Sequence, residues 1–158
     1  MSTSLNLRAA TPADIPAIIA LLEQLTRVEG GRSQNTPALL SEALFGQTCG
    51  VALRACVVVA GDQPIAVALY YPGYDVLSAS YGYHLADFVV AETHRRQAMG
   101  RRLFAHLARQ NLDEGGEWIS LTAIKTNQAA RAFYAKLGMT QVAVDFFAIG
   151  PAALAALS

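Results

Sequence analysis

Residues 84–108, HLADFVVAETHRRQAMGRRLFAHLA, hold the densest chemistry in the chain. An extended apolar run gives way to a short loop, Arg95 to Arg101, that leads directly into a helix. Backbone N–H groups therefore converge where a helix has no internal partners for them, which makes an anion site. Gly100 lets the main chain approach a phosphate closely, and Arg95, Arg96, Arg101 and Arg102 add local positive charge. Read blandly, the same arginines are a solvated helix start. No G-x-G-x-x-G turn or Walker lysine is present, which argues against a dinucleotide or nucleoside triphosphate. Cys49 and Cys56 follow no metal-ligand spacing, and His84, His94 and His106 add no cluster, so no metal is expected and both cysteines read as packing or surface residues.

The loop Arg95-Arg96-Gln97-Ala98-Met99-Gly100 resembles the pyrophosphate loop of the GNAT superfamily of N-acetyltransferases. That loop reads Arg or Gln, two residues, Gly, one residue, Gly or Ala. Ala98 stands where the first glycine is usual, and it is read as a position of negative φ that tolerates a methyl group. A second stretch, Asn127 to Met139 (NQAARAFYAKLGM), is similar to the family's N-x-x-A/S-x-x-F-Y-x-x-x-G-F/M segment. The resemblance covers nearly the whole chain and comes closest to the diamine and thialysine acetyltransferase branch. It rests there on LNLRAATPADIPAIIALL, SEALFG, IAVALYYPGYD and LADFVV.

The resemblance implies an acetyl-CoA-dependent N-acetyltransferase acting on a primary amine of a small molecule, whether diamine, polyamine or amino-acid-like. It carries cofactor contacts onto Phe88, Val89 and Val90, onto Arg95, Arg96, Gln97, Ala98, Met99, Gly100 and Arg101, and onto Asn127, Tyr134 and Lys136. Glu29, Asp75 and Asp87 match acidic positions that hold the cationic amine, while Ala86 replaces a glutamate and Thr126 a tryptophan. An amine attacks a thioester only when uncharged, so one group must take a proton and another must protonate the departing thiolate. Asp87 suits the first task, with Glu29 and Glu92 behind it, and Tyr134 suits the second. The branch also implies a homodimer. A protein or peptide N-acetyltransferase and a non-catalytic acyl-CoA-binding module of the same fold are the alternatives.

These side chains need a scaffold. Thr11-Pro12-Ala13-Asp14 supplies a helix start, and Ile15, Ile18, Ile19, Leu22 and Leu25 form one apolar stripe persisting to about Val28. Thr36-Pro37 starts a second helix that stops near Gly46. Val51–Ala60 and Pro64–Tyr71 read as a hairpin, with Pro72 to Asp75 as a turn before a third strand, Tyr81–Val90. A helix from Ala98 to about Glu114 should turn Leu103, Leu107 and Leu112 inward. Trp118–Ala123 as a strand, Gln128–Leu137 as a helix and Thr140–Ile149 as a strand complete the order βααβββαβαβ. The fold class is mixed α/β, a mostly antiparallel twisted sheet flanked by helices, in one domain spanning residues 1–158.

Composition agrees with a packed globular chain, hydrophobic at 53% and charged at 15%. Twelve basic and twelve acidic side chains cancel, so no global field attracts nucleic acid or an anionic membrane. Neither a leader pattern nor an apolar run of about 18 residues occurs, and a cytoplasmic location is the expectation.

Overall fold

Two residues past the first strand, Thr11 turns the chain through its neighbour three residues on. The Asp14 carboxylate accepts from the Thr11 backbone N–H at 2.7 Å and from the Thr11 hydroxyl at 2.9 Å. Arg8 closes a two-pronged ion pair on the same carboxylate, at 2.6 and 2.9 Å. In the computed structural model, which describes residues 5–28, 30–47, 50 and 52–157, this joint links β1 (Leu5–Ala9) to α1 (Ile15–Val28) through one 3₁₀ turn, Pro12–Asp14. Then come α2 (Pro37–Phe45), β2 (Arg54–Ala60), β3 (Gln63–Asp75), β4 (Ser80–Val90), α3 (Met99–Asp113), β5 (Trp118–Leu121), α4 (Gln128–Lys136) and α5 (Pro151–Ala155).

The chain forms two compact units, residues 1–127 and 128–158. The first holds a five-stranded sheet in the order β1-β2-β3-β4-β5, antiparallel except for the parallel pair β4–β5. Side chains alternate across a strand, so each face gets its own core. One face packs Val57, Val59, Val67, Leu69 and Val89 under the α1 and α2 side chains Ile18, Leu22 and Leu40. The other packs Cys56, Val58, Ala66, Ala68, Tyr70, Tyr83 and Leu85 under Met99, Leu103 and Leu107 of α3. Burial pushes the Cys56 thiol up to about 12, so it stays an uncharged packing group.

Leu112 departs from expectation: it is 67% exposed, and Asn111 is buried in its stead. The inward row of α3 runs at four-residue steps through 99, 103, 107 and 111, and Leu112 lies about 100° further round the helix. β3 is also longer than expected, running through Pro72 and Gly73 to Asp75. The ladder to β2 ends at Arg54↔Tyr70, so among the described residues β3 beyond Tyr70 pairs only with β4, and an edge position accommodates a proline with no N–H.

In the second unit, α4 ends where expected, with Gly138 at φ 86° and the Met139 N–H donating to the Tyr134 carbonyl at 3.1 Å. Residues 140–149 form no strand, contrary to expectation. The stretch carries β propensity, and among the described residues of this unit α4 and α5 are the regular elements. Among the described residues no helix is long and apolar enough to cross a membrane.

Candidate active site

The course of β4 sets the geometry. Its parallel ladder to β5 covers only Gly82↔Trp118 to Leu85↔Leu121, whereas its antiparallel ladder to β3 continues to Val90↔Ala66. The strand therefore outruns β5 over residues 86–90, the stretch expected to meet an extended cofactor arm. A bulge sits where the two regimes meet. Leu69 pairs with Asp87 and Tyr70 with Leu85, leaving Ala86 as the extra residue. Past the bulge, Val89 and Asp87 share the α1 face with Val67 and Leu69, and Phe88 packs on the α3 face, its ring 6.2 Å from Phe104.

Asp87 is half-buried there. Burial raises its pKa above the ordinary carboxylate value. Among the described residues no hydrogen bond or ion pair engages its carboxylate. A carboxylate held away from water without a partner favours its protonated form, which makes it a stronger base than a surface aspartate and a receptive seat for a cation.

Beyond Val90 the chain makes a 3₁₀ turn, Glu92–His94, and enters the arginine loop. Arg95 is used internally: its Nε donates to the Val90 carbonyl at 3.2 Å, and Nη1 lies 3.9 Å from the Glu92 carboxylate. Gln97 braces the loop by donating to the Thr93 carbonyl at 3.2 Å. Arg96 and Ala98 have φ values of 63° and 60°, so the expectation of a negative φ at Ala98 is wrong. The loop needs the left-handed backbone that glycine gives freely, and alanine adopts it under strain. The first intrahelical bond of α3 runs from the Arg102 N–H to the Ala98 carbonyl at 3.0 Å. The N–H groups of Met99, Gly100 and Arg101 thus precede it and point out of the helix start, with Arg96, Arg101 and Arg102 exposed beside them.

Next to this loop, Gln24 and Arg27 of α1 and Glu92 and Thr93 line an open depression of about 420 Å³. The Glu92 N–H donates to Gln24 Oε1 at 3.2 Å, which ties the end of α1 to the turn. Sequence reasoning missed Gln24 and Arg27, since nothing marks them among the polar residues between the apolar positions of α1.

Of the three expected carboxylates, Asp75 and Asp87 do not come together. Asp75 pairs with Ser80 at the tip of the β3–β4 hairpin, six residues along β3 from the partner of Asp87, or about 20 Å at ~3.3 Å per residue. Its oxygens accept from the Leu77 N–H at 3.0 Å and the Ser78 hydroxyl at 2.8 Å, and these bonds lower its pKa. It caps its own turn. Glu29 lies outside the described residues. Asn127 closes a turn by donating its N–H to the Ile124 carbonyl at 2.9 Å at the end of the first unit. Tyr134 and Lys136 lie on α4 in the second, where the Phe133 and Tyr134 rings stand 5.4 Å apart. No group of metal-ligating side chains occurs among the described residues.

Solved structures of the same fold cover nearly the whole chain. An integron cassette protein from the mobile metagenome of V. cholerae superposes with a TM-score of 0.80 at 18% identity, covering 98% of this chain and 97% of that one. An aminoglycoside acetyltransferase from an uncultured soil metagenomic sample, in complex with trehalose, gives 0.73 at 18% identity over 92% and 97%. A ribosomal-protein-alanine N-acetyltransferase from Brucella melitensis biovar Abortus 2308 gives 0.76 at 13% identity over 93% and 100%. At these identities the likeness is one of fold. No curated protein matches by sequence. The family model described as acetyltransferase (GNAT) family matches residues 20–139, taking in the later part of α1, the whole of β4, the arginine loop and α4. On that match this chain belongs to the acetyltransferase (GNAT) family and is an acyltransferase.

Proposed function

We propose that the protein transfers an acetyl group from acetyl-CoA to a primary amine of a small molecule. The observation that carries this reading is Asp87, a half-buried carboxylate with no partner among the described residues, at the bulge where β4 leaves β5. The family generally uses acetyl-CoA, and the chain offers groups that fit it. The outward N–H groups of residues 99–101, with exposed Arg96, Arg101 and Arg102, suit a pyrophosphate. Residues 86–90, running beyond β5, suit the amide-bearing pantetheine arm. When bound, acetyl-CoA supplies an activated acyl carbon and a thiolate leaving group.

The chain's own groups do the rest. Asp87 attracts the ammonium and takes one proton from it, leaving the nitrogen lone pair free to attack. Its raised pKa makes that transfer easier than at an exposed aspartate. Tyr134 is the proposed proton donor, since a phenol can give up its proton at the moment a thiolate leaves.

The reading is tested by incubating the protein with acetyl-CoA and a panel of diamines, polyamines, amino acids, lysine analogues and peptides. Free thiol and N-acetylated product are followed together. Stoichiometric thiol and N-acetyl product from a small amine support it. Acetylation confined to peptides, or thiol release without N-acetyl product, overturns it.

A further inference from the structure

The α1 face of the sheet continues past Asp87, along β4 and β3, as a strip of rings. Asp87 lies opposite Leu69 and His84 opposite Tyr71, so the two sit two β3 positions apart on one face, about 7 Å. The Tyr71 and His84 ring centroids are 5.0 Å apart, and His84 Nδ1 is held 3.0 Å from the Ser120 hydroxyl on β5. Two residues further on, Gly82 and Gly73 face each other across the ladder. Trp118 lies over both. A Cβ on Gly82 would overlap the indole, and one on Gly73 would stand 3.0 Å from its outer edge. The absence of side chains there leaves the floor to a flat ring. The Trp118 Nε1 is buried and has no hydrogen-bond partner among the described residues.

From the level of Asp87 to that of Gly73 the strip spans four positions of β3, about 13 Å. One carboxylate stands at its head, and the positions after it carry Tyr71, His84, Ser120, the glycines and Trp118. Asp75, the next acid along this face, is committed to its own turn, so among the described residues of the strip a second ammonium would find no free carboxylate. Rings arranged this way recognise another flat ring by offset or edge-on contact.

We propose that the acceptor is a primary monoamine carried on a planar aromatic body, its nitrogen at Asp87 and its ring seated against Tyr71 and His84 in the direction of Trp118. This rests on the amine-acetylation reading above and narrows it to a substrate class.

The experiment is steady-state kinetics at saturating acetyl-CoA with 2-phenylethylamine, butylamine and spermidine. Wild-type kcat/KM should be highest for 2-phenylethylamine, by roughly tenfold over butylamine, the scale of one aromatic contact. Tyr71→Ala should collapse that selectivity to near unity, and Tyr71→Phe should restore it. His84→Ala is the second variant, expected to lower the same ratio. A preference for spermidine, or a selectivity ratio unmoved in both folded alanine variants, overturns the assignment of the strip. Acetylation of none of the three, nor of any other primary amine, by protein shown calorimetrically to bind CoA would instead overturn the acetyl-transfer reading, and the strip assignment with it.

Discussion

Ala98 is held at φ 60° immediately before α3, the conformation that costs an L-residue about 1–2 kcal/mol and glycine almost nothing. Ala98→Gly releases that strain and returns part of the gain as unfolded-chain entropy, so the net stabilisation should be roughly 0.5–1 kcal/mol. Urea unfolding checks this, and a destabilised glycine variant would mean the loop is relaxed as it stands. Asp87 poses the opposite case. A carboxyl whose folded pKa is raised above its unfolded value destabilises the fold progressively as pH rises through the interval between the two values. Asp87→Asn should therefore raise the denaturation midpoint at neutral pH while slowing turnover, and a variant both slower and less stable would point to a structural role. Asp75→Asn, at an exposed turn, should leave KM for the amine within about twofold. Asp87 and the arginine loop were legible in the sequence because each is local. The separation of Asp75 was not, since it depends on β3 passing through Pro72, which only the absence of β2 beside it allows.

At the scale of elements, the start of α1 was legible from Thr11-Pro12-Ala13-Asp14, and the structure adds Arg8, which no local pattern ties to Asp14. Hydrogen bonding from Arg8 and Thr11 lowers the Asp14 pKa to about 2. A depressed folded pKa gives stability that is complete above the unfolded value, near 4, and is lost as pH falls through about 2. Asp14→Ala should cost about 2–3 kcal/mol at pH 7, from the lost cap and ion pair together, and the deficit relative to wild type should shrink below pH 3. Equal deficits at pH 7 and pH 2.5 would contradict that origin. Gly82→Ala should also destabilise, because a methyl there would displace Trp118. Residues 140–149 show where a propensity pattern misleads: alternation states which faces a strand would have, and pairing decides whether it forms.

Over the whole molecule the net charge is zero, and two local features of one strand-loop-helix unit carry the electrostatics that the proposed reaction uses. Positive charge and outward amides gather at the start of α3, and on β4 at the bulge sits Asp87, a carboxylate with no partner among the described residues. The ring strip beside it escaped the sequence because Tyr71, His84, Ser120 and Trp118 come from three strands, and only the ladder registers set them side by side. In the proposed reaction Asp87 acts on the acceptor amine rather than on the cofactor. The most direct test is kcat for acetyl transfer to the best amine in Asp87→Asn, measured beside CoA affinity by calorimetry. The expected result is a fall of roughly 10²-fold or more in kcat with CoA affinity unchanged. A folded Asp87→Asn protein that keeps wild-type kcat, or one whose loss is entirely a loss of CoA binding, would contradict it.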